Sequence, residues 1–235
     1  GVYTSTDMGT SWRPTPTTPP YPIIYSVLSY GSKLFAAGHT VMFTDPGLVE
    51  LDQIFVSTDD GTSWTSTSMR TNELVYTLAG FGQAILAGAN YGIYRSSDSG
   101  TSWQKCDPLV NSMLCYAIDG SLVVESGLYA SPDARYRPML CFTSDTGKTW
   151  TTTEVDTSVG KLSSIVLTRH ILIGAVYDRG AFESTDYGKT WAKVNDGFPT
   201  LPSASFNIFA MTLFGDYVFV GGLGGIWRRP ISELT

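Results

Sequence analysis

The octet STDMGTSW at residues 5–12 decides the fold, because it returns four more times along the chain. Its copies are STDDGTSW at 57–64, SSDSGTSW at 96–103, TSDTGKTW at 143–150 and STDYGKTW at 184–191. Every copy places Asp, Gly and Trp at the same spacing between Ser or Thr residues. Successive copies lie about 40 to 50 residues apart, which is the length of one four-stranded unit of a radially repeated β-protein.

Between the octets, the chain carries paired runs rich in β-branched and aromatic residues, joined by short polar turns. The runs are IIYSVLSYGSKLFAAG (23–38), LVYTLAGFGQAILAG (74–88), MLCYAIDGSLVVESG (113–127), LSSIVLTRHILIGAV (162–176) and FNIFAMTLFGDYVFVGG (206–222). No segment keeps a helical apolar period with caps. The pattern predicts an all-β protein whose unit is strand a, turn, strand b, loop, strand c, octet, strand d.

Each octet has the residue types of a tight turn between strands c and d. The Asp carboxylate accepts bonds from nearby backbone N–H groups, the Gly permits a positive φ, and the Trp begins strand d with its ring expected to be buried between sheets. We therefore expect structural roles for Asp7, Gly9, Trp12, Asp59, Gly61, Trp64, Asp98, Gly100, Trp103, Asp145, Gly147, Trp150, Asp186, Gly188 and Trp191.

On these five octets, the chain resembles the Asp-box, or BNR-repeat, β-propeller proteins over essentially its whole length. That group includes sialidases, xyloglucan-active glycoside hydrolases, a photosystem II assembly factor and sortilin-type receptors. The resemblance implies that the octets lie on the face opposite the functional site. It also implies that their aspartates are structural and are neither catalytic carboxylates nor metal ligands.

The repeat predicts one propeller domain over 1–235, most simply with five blades. The blades would span about 23–66, 74–107, 113–153, 162–195, and 206–230 completed by 1–15, so that strands from both termini close the ring. Because both termini offer a strand c, one strand is left over. A displaced terminal strand, a segment of a larger ring and strand exchange between chains remain alternatives.

Composition excludes several classes of partner. The net charge is −6 and the sequence has no basic run, which argues against nucleic acid. No apolar stretch is long enough for a membrane helix. The three cysteines match no zinc or redox motif, although Cys106 and Cys115 could form a disulfide. We expect no cofactor and no metal, and a monomer, with a strand-exchanged oligomer as the alternative. Since the chain begins at Gly1 inside a repeat, we expect a mature or trimmed form. Its end, GIWRRPISEL, resembles the point where secreted bacterial Asp-box proteins leave the propeller, and this likeness implies a secreted or cell-surface protein.

The first and third b–c connections, at 39–53 and 125–138, are longer than the turns require, whereas the fourth is short but polar. Loops on one rim of a rigid scaffold are the usual place for binding. Aromatic rings stack on sugars or apolar peptide groups, and Arg makes bidentate contacts with carboxylates. The candidate ligand-binding residues are Glu125, Tyr129, Arg135, Tyr136, Arg137, Tyr177, Asp178 and Arg179.

These features favour a non-catalytic binding or scaffold propeller of an exported protein, with a glycan or a protein as its ligand. The alternative is a small glycosidase that uses carboxylates at the same face, such as Glu125, Asp178 or Asp45, since that chemistry needs two carboxylates roughly 5–10 Å apart. A purely structural module is a third reading. The sequence has no nucleophile elbow and no phosphate loop or dinucleotide fingerprint, so no catalytic residue is assigned.

Overall fold

The computed structural model describes residues 1–16, 23–44, 47–71, 73–106, 111–130, 136–196, 207–223 and 225–234. The chain divides into two compact units, Gly1–Pro108 and Leu109–Thr235. All regular elements of the described residues are strands, apart from a single-turn 3-10 helix at Ile231–Glu233. Among these residues, no helix has the length and apolar character needed to cross a membrane.

The first unit contains a short hairpin and two four-stranded antiparallel sheets. The hairpin consists of β1 (Tyr3–Thr4) and β2 (Arg13–Pro14). Sheet 1 consists of β3 (Ile23–Tyr30), β4 (Lys33–Thr44), β5 (Gly47–Ser57) and β6 (Thr65–Thr71). Sheet 2 consists of β7 (Val75–Phe81), β8 (Ala84–Ala89), β9 (Gly92–Ser96) and β10 (Gln104–Lys105).

The second unit contains two four-stranded sheets and one three-stranded sheet, all antiparallel. Sheet 3 consists of β11 (Asn111–Asp119), β12 (Leu122–Ala130), β13 (Tyr136–Thr143) and β14 (Thr151–Glu154). Sheet 4 consists of β15 (Leu162–Thr168), β16 (Ile171–Val176), β17 (Gly180–Ser184) and β18 (Ala192–Lys193). Sheet 5 consists of β19 (Ile208–Phe214), β20 (Tyr217–Gly222) and β21 (Gly225–Pro230).

The all-β class and the repeated four-stranded sheets agree with the sequence analysis. In each four-stranded sheet the strands pair in chain order, and an octet connects the third strand to the fourth. The octet at 5–12 connects β1 to β2, and no octet follows β21. The number of blades, the single domain and the blade closed by both termini stay predictions.

Within each unit, neighbouring sheets pack through apolar faces and are joined by a repeated hydrogen bond. The Leu78 N–H of sheet 2 donates to the Ser26 hydroxyl of sheet 1 at 3.1 Å. The Met211 N–H of sheet 5 donates to the Ser164 hydroxyl of sheet 4 at 2.9 Å. Each serine is in the first strand of its sheet, so first strands of neighbouring sheets are held side by side. Such a bond also satisfies a backbone donor that burial would otherwise leave without a partner.

The octet turn has the same hydrogen bonds in every copy, as the second one illustrates. Asp59 Oδ1 accepts from the Ser57 hydroxyl at 2.8 Å and from the Ser63 N–H at 2.9 Å. Asp59 Oδ2 accepts from the Ser63 hydroxyl at 2.6 Å, and the Gly61 N–H donates to the Ser57 hydroxyl at 2.9 Å. The aspartates therefore fasten their own turns, each in its own sheet or hairpin.

The octet tryptophans differ in burial, which corrects the expectation that all five rings are buried. Trp64 is 2% exposed, whereas Trp12 is 61% exposed, and the other three are half-buried. Trp64 packs with Val2, Ala36 and Phe55. The octet spacing determines where the indole ring lies in the turn, whereas the neighbouring sheet determines how far the ring is buried.

Candidate functional site

In an antiparallel sheet, the turn between the second and third strands lies at the end opposite the octet turn. We call this the loop end of a sheet. At the loop end of sheet 4, Tyr177, Asp178 and Arg179 connect β16 to β17, and all three are exposed. The turn is closed by the Arg179 N–H, which donates to the Val176 carbonyl at 3.2 Å. The sequence-predicted residues are thus presented on a short, hydrogen-bonded turn.

The Arg179 guanidinium is engaged by the protein itself. Its Nη1 donates to the Val159 carbonyl at 3.3 Å and also to the Ser158 carbonyl. The Asp178 carboxylate lies 3.9 Å from Arg179 Nε. Because Nη1 is bonded to these two carbonyls, Arg179 fixes the 156–160 turn, which leaves it less free to make the bidentate carboxylate contact expected from the sequence.

Tyr177 contacts Phe209, an aromatic residue of sheet 5 that the sequence analysis did not single out. The ring centroids are 5.7 Å apart at an interplanar angle of 58°, and each residue is 51% exposed. Phe209 lies where the register between β19 and β20 shifts, between Ile208 and Ala210. Such a bulge re-aims a side chain relative to the regular pleat. The pair therefore forms an exposed aromatic surface at the loop end.

The sequence contains a pattern that marks Phe209. The first strands of sheets 1, 2 and 5 each have an aromatic residue, then four other residues, then a second aromatic residue followed directly by Gly. This pattern occurs at Tyr25-Tyr30-Gly31, Tyr76-Phe81-Gly82 and Phe209-Phe214-Gly215. The first aromatic of each set stands at a register shift of its sheet. The first aromatic residue of this pattern therefore marks the β-bulge in each of the three strands.

Tyr129, Tyr136 and Arg137 lie at the loop end of sheet 3, where β12 and β13 continue further than the sequence suggested. Tyr129 is opposite Arg137 in the ladder. Tyr136 is exposed, and Arg137 Nη1 donates to Glu154 Oε1 at 3.0 Å. Arg135 lies outside the described residues, as does Asp45. Among the described contacts, none joins this hairpin to the Tyr177 turn.

Glu125 requires a correction, because it lies inside β12 and is only 1% exposed. Burial raises the pKa of Glu125 to about 8, since the charged form has lost its water. Its Oε2 atom has no hydrogen-bond partner among the described residues. A carboxyl in this setting is not available to an exposed ligand. Glu125 belongs to a strand rather than to a loop, and residues 123–127 of that strand are all buried.

Neither a metal centre nor a disulfide is present in the described part of the chain. No three His, Cys, Asp or Glu side chains there are close enough to hold a metal ion. Cys106, Cys115 and Cys141 are all thiols, so the possible Cys106–Cys115 disulfide is not formed. The octet aspartates carry pKa values below their usual range because hydroxyl and backbone donors bind the charged form. They are therefore poor proton donors at neutral pH.

Sheet 5 also has an apolar concavity of about 590 Å³, lined by Phe214, Phe219 and Ile226 among others. At the corresponding register positions of sheet 1, Phe35 and Ile54 pack against sheet 2. The concavity thus repeats a surface used elsewhere for packing between sheets. It offers little polar chemistry for orienting a small ligand, so we place the candidate site at the aromatic pair.

No family model and no curated protein sequence matches the chain. Solved structures do match, at low identity. A GH74 xyloglucanase from Xanthomonas campestris is 12% identical with a TM-score of 0.58, and the match covers 87% of this chain and 44% of that chain. An α-L-arabinofuranosidase from Fusarium graminearum is 11% identical with a TM-score of 0.54, with coverage of 86% and 72%.

A third similar structure is the extracellular domain of a putative one-component system from B. thetaiotaomicron. It is 13% identical with a TM-score of 0.65, and the match covers 91% of this chain and 27% of that chain. This chain therefore spans less than half the length of two of the three proteins. At such identities the likeness is one of fold, and it shows that the chain is similar to propeller-type proteins.

Proposed function

We propose that this protein is a non-catalytic, exported carbohydrate-binding propeller whose ligand is an uncharged oligosaccharide held at the loop end of the second unit. The observation that carries the proposal is the exposed Tyr177–Phe209 ring pair. Aromatic faces bind the apolar faces of sugar rings, and a Tyr hydroxyl adds a polar contact. A role outside the cytoplasm is supported by the likeness to an extracellular domain.

The two described arginines of the sequence-predicted set favour an uncharged ligand over an acidic one, since both already bind groups of the protein. The Arg179 guanidinium already binds two backbone carbonyls, and Arg137 forms an ion pair with Glu154. The net charge of the chain, −6, disfavours anions further. A protein partner of the same surface remains the alternative ligand.

A small glycosidase is the second candidate function, because two of the similar structures are glycoside-active enzymes. Hydrolysis needs two carboxylates that flank the scissile bond. Asp178 is exposed beside Tyr177, but Glu125 is buried in β12. The burial of Glu125, one of the three sequence-predicted carboxylates, favours binding without turnover.

The test is a binding array combined with a hydrolysis assay on the same sugars. The array holds xyloglucan and arabinan fragments, sialylated oligosaccharides and a peptide library. We expect uncharged oligosaccharides to bind without turnover, and Tyr177→Ala or Phe209→Ala to weaken binding roughly tenfold. The control is Tyr187→Ala, an exposed tyrosine in the octet of the same sheet. Turnover lost in Asp178→Asn would establish the enzyme instead, and binding confined to sialylated sugars or peptides would refute the proposed ligand.

A further inference from the structure

The first unit has an aromatic pair of its own, toward the loop ends of sheets 1 and 2. Tyr25 of sheet 1 and Tyr76 of sheet 2 have ring centroids 5.4 Å apart at an interplanar angle of 63°. We propose that this pair is a second binding site for an uncharged saccharide, so that each chain binds two sugar rings through separate residues. The inference shares its ligand class with the proposed function but uses none of the same side chains.

A β-bulge in the first strand of a sheet presents an aromatic ring in both units. The register shifts between Ile24 and Ser26 in sheet 1 and between Val75 and Thr77 in sheet 2. Phe209 stands at the corresponding shift of sheet 5. A bulge turns the side chain away from the regular pleat. The three aromatic residues therefore occupy one repeated structural position, while sheet 4 has Ser163 there.

The spacing of the two rings is fixed by the protein before any ligand arrives. Ser26, next to Tyr25, accepts a hydrogen bond from the N–H of Leu78, two residues after Tyr76. This bond ties β3 to β7 beside the ring pair. A surface that is already ordered pays less conformational entropy on binding, which favours affinity.

The chemistry around the pair matches an uncharged ligand with an apolar face. Tyr25 is 42% exposed, so part of its ring is open to solvent. The neighbours of the two tyrosines along their strands are Ile24, Ser26, Val75 and Thr77, all of them uncharged. A pyranose ring presents C–H groups to an aromatic face and hydroxyl groups to polar neighbours. The partly exposed Tyr25 supplies such an aromatic face together with a hydroxyl of its own, whereas Thr77 is buried and the Ser26 hydroxyl accepts a bond from Leu78.

The first unit has one more exposed tyrosine at the loop end of a sheet. Tyr91 lies in the turn between β8 and β9, at the loop end of sheet 2, and is exposed. Tyr177 occupies the turn between β16 and β17 in sheet 4. Both units thus combine an aromatic residue at a bulge with a tyrosine in a loop-end turn. The pairing differs, since the turn residue Tyr177 contacts the bulge residue Phe209, whereas Tyr25 and Tyr76 are both bulge residues.

The experiment is calorimetric titration of the whole chain with the uncharged xyloglucan and arabinan fragments. We expect two ligands per wild-type chain and one per Tyr177→Ala/Phe209→Ala chain. Adding Tyr25→Ala or Tyr76→Ala to that double variant should weaken the remaining binding at least roughly tenfold. Adding Tyr25→Phe, which keeps the ring, should change it less than about threefold. Tyr3→Ala, an exposed tyrosine of the same unit, is the control, and thermal melting checks that each variant is folded.

The outcomes separate this inference from the proposed function. Loss of all binding in Tyr177→Ala/Phe209→Ala would overturn the second site and leave the first intact. One ligand per wild-type chain that is insensitive to Tyr177→Ala and lost in Tyr25→Ala would support this inference and refute the proposed residues. Both the site and its ligand class would be overturned if the wild type bound no uncharged fragment. The same holds if Tyr25 were needed only for the binding of peptides.

Discussion

Glu125 and Cys141 are opposite each other on β12 and β13, and the order of large and small side chains is the reverse of that in sheets 1, 2 and 4. In those three sheets a small residue of the second strand faces an aromatic residue of the third. The pairs are Ala36 and Phe55, Ala87 and Tyr94, and Gly174 and Phe182. In sheet 3 the large side chain is Glu125 and the small one is Cys141. In sheet 3 the space at this pair of positions is therefore filled by the side chain of β12 and not by that of β13.

This reversal predicts strong coupling between the two positions. Cys141→Phe alone should be destabilising by about 1–3 kcal/mol, because the ring must share its space with Glu125. In the Glu125→Ala background, the same substitution should instead fill the vacated space. Urea unfolding of the wild type, both single variants and the double variant should give a favourable coupling of about 1–3 kcal/mol. Effects that add within about 0.5 kcal/mol would contradict this coupling.

The buried carboxyl also predicts a pH-dependent stability. Burial raises the pKa of Glu125 to about 8 in the folded chain, above the ordinary value of 4.5. Between these values only the unfolded chain ionises, so the wild type loses stability as pH rises through this window. Glu125→Gln should remove a loss of up to about 1.4 kcal/mol per pH unit. Urea unfolding from pH 4 to 9 checks this. A constant difference between the variant and the wild type would oppose it, and Glu154→Gln is an exposed control.

The octet aspartates predict the opposite pH behaviour. Bonds from the Ser63 hydroxyl and N–H hold the pKa of Asp59 at about 2, below the ordinary 3.8. Stability from this carboxylate is therefore present above about pH 4 and lost as pH falls through 2. Asp59→Asn should lower Tm at pH 7 and reduce the further loss of Tm on acidification. Asp60→Asn changes the neighbouring exposed residue of the same turn. Equal effects of the two substitutions would show that the hydrogen bonds of Asp59 contribute nothing.

Substitutions of two octet glycines distinguish the stability cost of backbone strain in the turn from the cost of overpacking between sheets. Gly9 and Gly100 have φ values of +85° and +82°. A Cβ at Gly100 would overlap the ring of Phe35 on the neighbouring sheet, whereas at Gly9 the nearest atom is 3.8 Å away in Trp12. Gly9→Ala should cost about 1–2 kcal/mol from backbone strain, and Gly100→Ala about 1–3 kcal/mol more from overpacking. Equal unfolding free energies would mean that Phe35 moves aside without cost.

The octet spacing was sufficient to predict four-stranded repeats, because its hydrogen bonds are local and depend only on residue type. The loop residues are harder to predict, since Glu125 follows two valines and precedes Ser126-Gly127, a sequence that fits either a strand or the start of a loop. The bulge at Phe209 depends on pairing with β20, which no single-strand pattern shows. Burial of the octet rings depends on the neighbouring sheet, as the contrast between Trp12 and Trp64 demonstrates. Local chemistry was therefore readable from the sequence, and contacts between strands and sheets were not.

The most direct measurement of the central claim is the affinity of the chain for uncharged oligosaccharides before and after removal of the Tyr177 ring. The account predicts saturable binding that weakens roughly tenfold in Tyr177→Ala and stays within about threefold of the wild type in Tyr177→Phe. Equal affinities for Tyr177→Ala and the wild type, in folded protein, would contradict it.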